Sequence, residues 1–332
     1  MNSSKNQIIA NYLSLFLSIV FIAFTIIIST NNHTISKKII TIEKGKTLNE
    51  IIDLFHREEI VKNKFIFKSF IYLNNLQNKI PAGTYLFEGK ISNTSIINSI
   101  FSNGQISKKI TIPEGSSTER VVNIILSEFD FNLSEVELLK DKKFLDSIGI
   151  QFSSIDGYLF PDSYFFHYNE SFESIIQKIV NEFEIRVIPL FKEKQINDMS
   201  LHEVITLASI VEGEAMIDEE RAIIASVYIN RLKKNMKLQA DPTIQFIVDE
   251  SPKRLTNKDL KIESPYNTYL NFGLPPGPIN NPGLKSIQAV LNPEKTDYLF
   301  FVAKGDGSHV FTKNEKDHNE AKKNYKNFLR NQ

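Results

Sequence analysis

LASIVEGEA, Leu207 to Ala215, is a run of small and apolar residues that stops on two carboxylates, Glu212 and Glu214. The apolar run begins at Leu201, and just ahead of it Ser200 and Glu203 form the S-x-x-E pattern of a capping box. In that pattern each side chain satisfies a backbone N–H of the other residue, which marks a helix start. The segment from Leu201 to about Val211 is therefore expected to be a helix that is apolar on almost every side, and so buried. Charged groups where such a helix stops cost free energy unless they are solvated, paired or used. Successive helical residues turn by about 100°, so positions 212 and 214 point about 200° apart and only one can face a given cleft. Periodicity does not say which.

Downstream, a second helix is expected from Asp218 to about Lys234, with Arg221 near its start and Tyr228, Asn230 and Arg231 farther along. Beyond Gln239 regular periodicity fades into LQADPTIQF, ESPYNTYLNFGLPPGPINNPG and YLFFVAKGDGSHVF. The stretch from Pro265 to Pro282 holds prolines 265, 275, 276, 278 and 282, with Gly273 and Gly277 among them. A Pro- and Gly-fixed backbone beside a buried helix pair positions polar groups at little entropic cost, so these loops are expected to build a groove. Upstream, DGYLFPDSYFF (Asp156 to Phe166) clusters aromatics around Pro161 and Asp162. Such a cluster reads as core, with a sugar-stacking platform as the alternative.

The amino-terminal part carries a weak echo. ITIEKGKTLNEII begins at Ile40 and ITIPEGSSTERVVNII at Ile110. In each, a β-branched run reaches a glycine (Gly45, Gly115), and Thr47 or Ser117 then opens an amphipathic helix: a strand, a turn and a capped helix. A duplication and a common βα unit met twice fit this equally. Residues 39–105 read as a small α+β module. From Ile8 to Ser29 there is no charge, a run about long enough to cross roughly 30 Å of hydrocarbon. No small-x-small cleavage site follows it. The expectation is a transmembrane anchor over residues 8–30 behind a short cytoplasmic tail, residues 1–7, although Lys5 against Lys37 and Lys38 does not fix the orientation by charge.

Composition narrows the function. Lysine plus arginine and aspartate plus glutamate are 39 each in 332 residues, so no charge excess draws the chain to nucleic acid. Cysteine is absent, which removes thiol nucleophiles and cysteine-ligated zinc. The six histidines are scattered, with no HExxH spacing, so neither a metal site nor a cofactor is expected. A carboxylic acid at the end of an apolar helix is a different matter: poor solvation raises its pKa, so it can donate a proton near neutral pH. Glycosidases that use water pair such an acid with a second carboxylate. Asp218, Glu219, Glu220 and Asp241 are available, but none is marked by sequence as opposite. A lyase needs only one carboxyl, which gives a proton to the leaving oxygen and takes one from the substrate's own hydroxyl.

LASIVEGEA, then VYINRL, LQADPT, SPYNTY, GLPPGPI and NPG in that order, closing with TDYLFFVAKGDGSHVFTKNEKDH, resemble the YceG/MltG family of endolytic murein transglycosylases. GYLFPDSY matches a further family signature, and the likeness covers nearly the whole chain after the anchor. The resemblance implies an α+β chain with an N-terminal transmembrane helix, a LysM-like module at 39–105 and a mixed α/β catalytic domain at 106–332 carrying a helix-borne glutamate and a loop-built groove. It implies cleavage of the MurNAc-β-1,4-GlcNAc bond within peptidoglycan strands to leave 1,6-anhydroMurNAc ends, terminating nascent glycan. The catalytic glutamate is carried onto Glu214, because related soluble enzymes follow theirs with a small residue, as Ala215 does here; Glu212 is the alternative. Family members commonly have Lys or Arg where this chain has Gly213. Asn230, Arg231, Gln239, Asp241, Tyr266, Asn267, Tyr269 and His309 are the expected substrate-binding residues, each with a plain helix- or turn-supporting role as the alternative. Thr312 and His318 read as structural. Expected partners are peptidoglycan strands and peptidoglycan synthases or penicillin-binding proteins, with the body on the periplasmic side of a bacterial inner membrane. A non-catalytic peptidoglycan-binding scaffold and a hydrolysing muramidase are the competing functions.

Overall fold

A computed structural model describes residues 11–24, 33–101, 106–152, 154–168, 170–194, 199–248 and 252–330 of the chain. The fold is mixed α+β. Residues 11–24 form a helix, α1, with every side chain exposed. Among the described residues no helix is long and apolar enough to cross a membrane. The expected tail and both ends of the expected span, residues 8–10 and 25–30, lie outside the described residues. The chain divides into two compact units, Met1–Lys108 with Phe165–Glu170, and Lys109–Tyr164 with Ser171–Gln332.

In the first unit β1 (His33–Ile42) pairs antiparallel with β2 (Gly83–Ile91), Ile42 opposite Gly83 and His33 opposite Ile91. Between them run α2 (Leu48–Arg57) and α3 (Lys64–Leu73), and α4 (Asn93–Phe101) follows. Thr47 caps α2 in a full capping box with Glu50, and Asn63 caps α3. The apolar faces of strands and helices close on Ile42, Phe55, Phe67, Ile71, Tyr85 and Phe87, each at most 1% exposed.

The chain passes between the units within β3 (Ser107–Thr111), within β4 (Ser163–His167) and again between Glu170 and Ser171. The second unit is built mainly of helices: α5 (Thr118–Glu128), the short α6 (Leu133–Val136) and α7 (Lys142–Ser147), then α8 (Phe172–Glu193), α9 (Leu201–Glu214), α10 (Arg221–Lys233), α11 (Asp241–Ile247), α12 (Leu284–Leu291) and α13 (Glu315–Arg330). A hairpin of β5 (Phe300–Ala303) and β6 (His309–Thr312) precedes α13. The α9 capping box forms as expected, and every residue from Val204 to Val211 is buried. Helices α10, α11 and α12 pack against it, and α8 packs on α12. Both echo segments reach a positive-φ glycine, Gly45 and Gly115, before a hydroxyl-capped helix. The aromatic segment resolves toward core: Tyr158, Leu159, Phe160, Tyr164 and Phe166 are buried, and only Phe165 is widely exposed.

Gly157 shows how tightly that segment packs. Its φ is +86°, and a Cβ would fall 2.5 Å from Pro278 Cγ and 2.9 Å from Ile205 Cγ2. A left-handed backbone costs an L-residue roughly 1–2 kcal/mol before any overlap. Gly157→Ala is therefore expected to cost about 2 kcal/mol and lower the Tm of this unit by roughly 4–8 °C. An unchanged Tm in a calorimetric scan would contradict the packing described.

Candidate functional site

Helix α9 runs through Gly213 and ends on Glu214, with Ala215 as its C-cap. Glycine does not break it. Gly213 is instead the point where α11 comes closest: a Cβ there would lie 2.6 Å from Pro242 Cβ. A residue with any side chain would push α11 away.

The two glutamates have separate surroundings. Glu212 Oε2 accepts hydrogen bonds from the Gly283 amide (2.9 Å) and the Ser286 hydroxyl (2.8 Å), and its Oε1 lies 3.2 Å from Arg221 Nη1. Its side chain is 7% exposed and that of Arg221 9%. Arg221 also bonds Asp218 through Nε, at 2.9 Å, and Lys285 pairs with Asp218. Glu212 thus ties the end of α9 to α10 and α12, and both its oxygens are engaged by protein groups.

Glu214 turns the other way and lines a cavity of about 900 Å³, whose wall includes Thr118, Arg120, Asp156, Asp241, Phe246 and Asn280. Its Oε1 accepts the Tyr228 hydroxyl at 2.7 Å, and the nearby Asp241 backbone weakly favours the charged carboxylate. Burial pushes the carboxyl up to about 7; the Tyr228 hydrogen bond opposes the rise, the Asp241 charge adds to it and the Arg231 charge opposes it. Tyr228, on α10 and 1% exposed, is held well above the ordinary phenol range, first by burial and then by the Glu214 charge. It stays a neutral donor.

The remaining expected residues divide. Asp241 lines the cavity beside Glu214 and accepts the Tyr269 hydroxyl. The Tyr266 ring meets that of Phe246, which is on the cavity wall, at 4.8 Å and a 44° tilt. Arg231 lies 6% exposed, donates to the carbonyls of Leu299 (2.6 Å) and Leu238 (2.5 Å) and sits over the Phe300 ring; it reaches Glu214 only through its field. Asn230 donates its Nδ2 to the Thr296 and Tyr298 carbonyls, which anchors the approach to β5. Asn267 is wholly buried, donates to the Leu260 and Ile262 carbonyls and accepts the Tyr269 amide, so it braces the loop from inside. Gln239 is exposed, has a φ of +50° and fixes a turn through its amide bond to the Thr268 carbonyl; its side chain is not on the cavity wall. His309 donates its backbone N–H to Glu220 Oε1 (2.9 Å), and its Nδ1 lies 2.6 Å from Glu220 Oε2. Phe301 meets both the His309 and the Tyr228 rings edge-on.

Sequence reasoning missed Asp156, Thr118, Arg120 and Asn280. The Thr118 and Ser154 hydroxyls both donate to Asp156. The loop from Pro276 to Gly283 is stitched down by two asparagines and a serine. Ser209 Oγ accepts the Ile279 amide and Ser209 O accepts Asn280 Nδ2. Asn281 accepts the Leu159 amide and donates to the Ser116 carbonyl. No spacing in the sequence links these remote positions.

A sequence profile described as the YceG-like family matches residues 40–324. A Bacillus subtilis protein described as an endolytic murein transglycosylase is 34% identical over 303 residues, spanning 86% of this chain and 84% of that protein. One of the same description from Streptococcus pneumoniae serotype 2 is 28% identical over 318 residues, 85% of this chain and 58% of that protein. The crystal structure of a YceG-like protein from Listeria monocytogenes superposes with a TM-score of 0.60 at 31% identity, covering 86% of this chain and 98% of that one.

The two carboxylates should separate in stability. Glu214 sits at about 7 against an ordinary 4.5, so the folded state holds its proton more tightly than the unfolded chain. The stability this gives is full below about 4.5 and is lost as pH rises through about 7, leaving a cost of up to about 3 kcal/mol at pH 8. Glu214→Gln removes that cost and is expected to raise the Tm at pH 8, with the gain vanishing near pH 4. Glu212→Gln, which leaves buried Arg221 short of a charge partner, is expected to lower the Tm at pH 8. Thermal unfolding of both variants checks the pair, and a Glu214→Gln protein less stable than wild type at pH 8 contradicts it.

Proposed function

This chain belongs to the YceG-like family, and from that premise we propose that it is an endolytic murein lytic transglycosylase with Glu214 as its acid and base. The observation that carries the residue choice is the cavity-lining Glu214 carboxyl, pushed up to about 7, beside a Glu212 whose oxygens are already taken by Arg221, Ser286 and Gly283. A carboxyl of this kind is substantially protonated near neutral pH, as general acid catalysis requires. It donates its proton to the glycosidic oxygen between MurNAc and GlcNAc. The C1–O bond breaks, its electron pair goes to the oxygen, and GlcNAc leaves with a free 4-hydroxyl. The Glu214 carboxylate then takes the proton of the muramoyl 6-hydroxyl as that oxygen bonds to C1. A 1,6-anhydro end results, no water is consumed, and Glu214 is again protonated. Tyr228 orients the carboxyl throughout, and the charge of Asp241 favours its protonated form.

A hydrolysing muramidase is the second reading, favoured by the second carboxylate, Asp241, on the same cavity wall. Substrate contacts are assigned to Asp241, Tyr266 and Tyr269; Arg231 and His309 act from behind the wall. The uncharged run over residues 8–30, apolar and exposed where α1 is described, supports a single-pass anchor in a bacterial inner membrane with the body on the outer side. The strand–helix–helix–strand order of the first unit supports a LysM-like glycan-binding role for residues 39–105, with residues 106–332 catalytic. A partnership with peptidoglycan synthases follows from that placement beside nascent strands.

Wild-type protein incubated with murein should release anhydro-ended fragments, seen by mass spectrometry, and Glu214→Gln should lower that rate by at least about 10²-fold. Products heavier by one water would favour the muramidase. Full activity in Glu214→Gln with loss in Glu212→Gln would move the role to Glu212.

A further inference from the structure

Helix α3 of the first unit is apolar on two opposite faces. It reads KFIFKSFIYL, and Phe67, Phe70 and Ile71 turn into the core, 0%, 7% and 0% exposed. Phe65 and Tyr72 stand seven residues apart, so they fall within about 20° of each other on the other side of the helix. They are 74% and 52% exposed, and Leu73 beside them is 49% exposed. A helix that is apolar all round is ordinarily covered all round, and adjoining exposed groups of this size mark a contact surface.

The chain itself says what lies nearby. The uncharged run of residues 8–29 is followed by Thr30, Asn31 and Asn32, and β1 begins at His33. Four residue steps reach roughly 14 Å at full extension, so a run that spans the hydrocarbon keeps His33 close to the headgroup layer. His33 Nε2 lies 3.0 Å from the Glu59 carbonyl, and Lys38 Nζ donates to the Glu58 carbonyl at 2.6 Å. The start of β1 is thereby fastened to the loop that leads into α3. His33 also shares a hollow of about 380 Å³ with Lys62, three residues ahead of Phe65. The Phe65 end of α3 therefore stands where the anchor enters the unit. Lys62 and Lys64 flank Phe65, and both are exposed. Exposed Phe and Tyr rings with lysines at their edge suit a lipid interface, where the rings sink among the upper acyl chains and the ammonium groups meet anionic headgroups.

We propose that the outer face of α3, led by Phe65 and Tyr72, docks on the surface of the membrane that holds the anchor, with an anionic lipid bilayer as its partner. Docking lays the first unit on the lipid instead of leaving it to swing on its tether. The inference rests on the anchor reading above.

The chain has no tryptophan, so Phe65→Trp and Tyr72→Trp each place a single fluorescent reporter on this face. The full-length variants are reconstituted in vesicles of phosphatidylglycerol and phosphatidylethanolamine, with acyl-brominated lipid as a quencher from the membrane side and acrylamide as one from the water side. Both reporters are expected to lose at least about half of their emission to the brominated lipid and to be shielded from acrylamide. Adding Phe65→Ser to the Tyr72→Trp protein, which weakens the docking without touching the reporter, is expected to reverse most of that loss. Emission unchanged by brominated lipid and open to acrylamide overturns the inference. Emission shielded from acrylamide yet unchanged by brominated lipid also overturns it, since the face is then covered by protein, such as a second copy of the chain. Flotation of the same vesicles tests the reading beneath: a chain that does not float with them overturns the anchor itself.

Discussion

The hydrogen bond from the Tyr228 hydroxyl to Glu214 joins the ends of two requirements that pull against each other. Helix α9 must be buried on all sides for the second unit to have a core, yet it ends on a carboxyl that must reach a ligand. Burial alone would drive that carboxyl far from the ionised state, and a bond from an uncharged phenol moderates the rise without fixing the negative charge as a cation would. Arg231 is near enough to act through its field but is committed to backbone carbonyls. Arg221, the cation that could have paired directly, is on the other side of the helix with Glu212. The 200° between positions 212 and 214 therefore does mechanical and chemical work with one residue each.

The surrounding loops serve the same arrangement. The Pro- and Gly-rich segment after Asn271 has almost no regular structure of its own, and it is ordered by side-chain bonds to α9 and to the turn at Gly115 and Ser116. Tyr158 and His202 add a further tie, the Tyr158 hydroxyl meeting His202 Nδ1 at 2.9 Å while His202 Nε2 meets the Pro276 carbonyl. These bonds bring one wall of the cavity to the end of α9. The opposite wall comes from α11, whose approach depends on Gly213 having no side chain.

Much of this frame was legible in the sequence, because it rests on local rules. The capping box at Ser200 and Glu203, the apolar run to Val211 and the divergence of the two glutamates follow from helix geometry. The choice between the glutamates does not, since their partners, Ser286 and Gly283 for one and Tyr228 and Asp241 for the other, come from distant segments. Helix α11 was hidden for a local reason: Asp241-Pro242 reads as a turn, whereas proline is equally suited to the first turn of a helix, and Pro242 sits there. Asn230 and Asn267 illustrate the same dependence on distant partners. An amide in a helix or a Pro-fixed loop looks available to a ligand until the backbone carbonyls it serves are known.

The central claim is that Glu214 is a carboxyl protonated near neutral pH. Its most direct test is the titration of the Glu214 side-chain carbonyl, followed by infrared difference spectroscopy of ¹³C-glutamate-labelled protein and assigned by comparison with Glu214→Gln. The account predicts a midpoint at about 7, absent in the variant. A Glu214 signal that titrates at its ordinary 4.5 would contradict it.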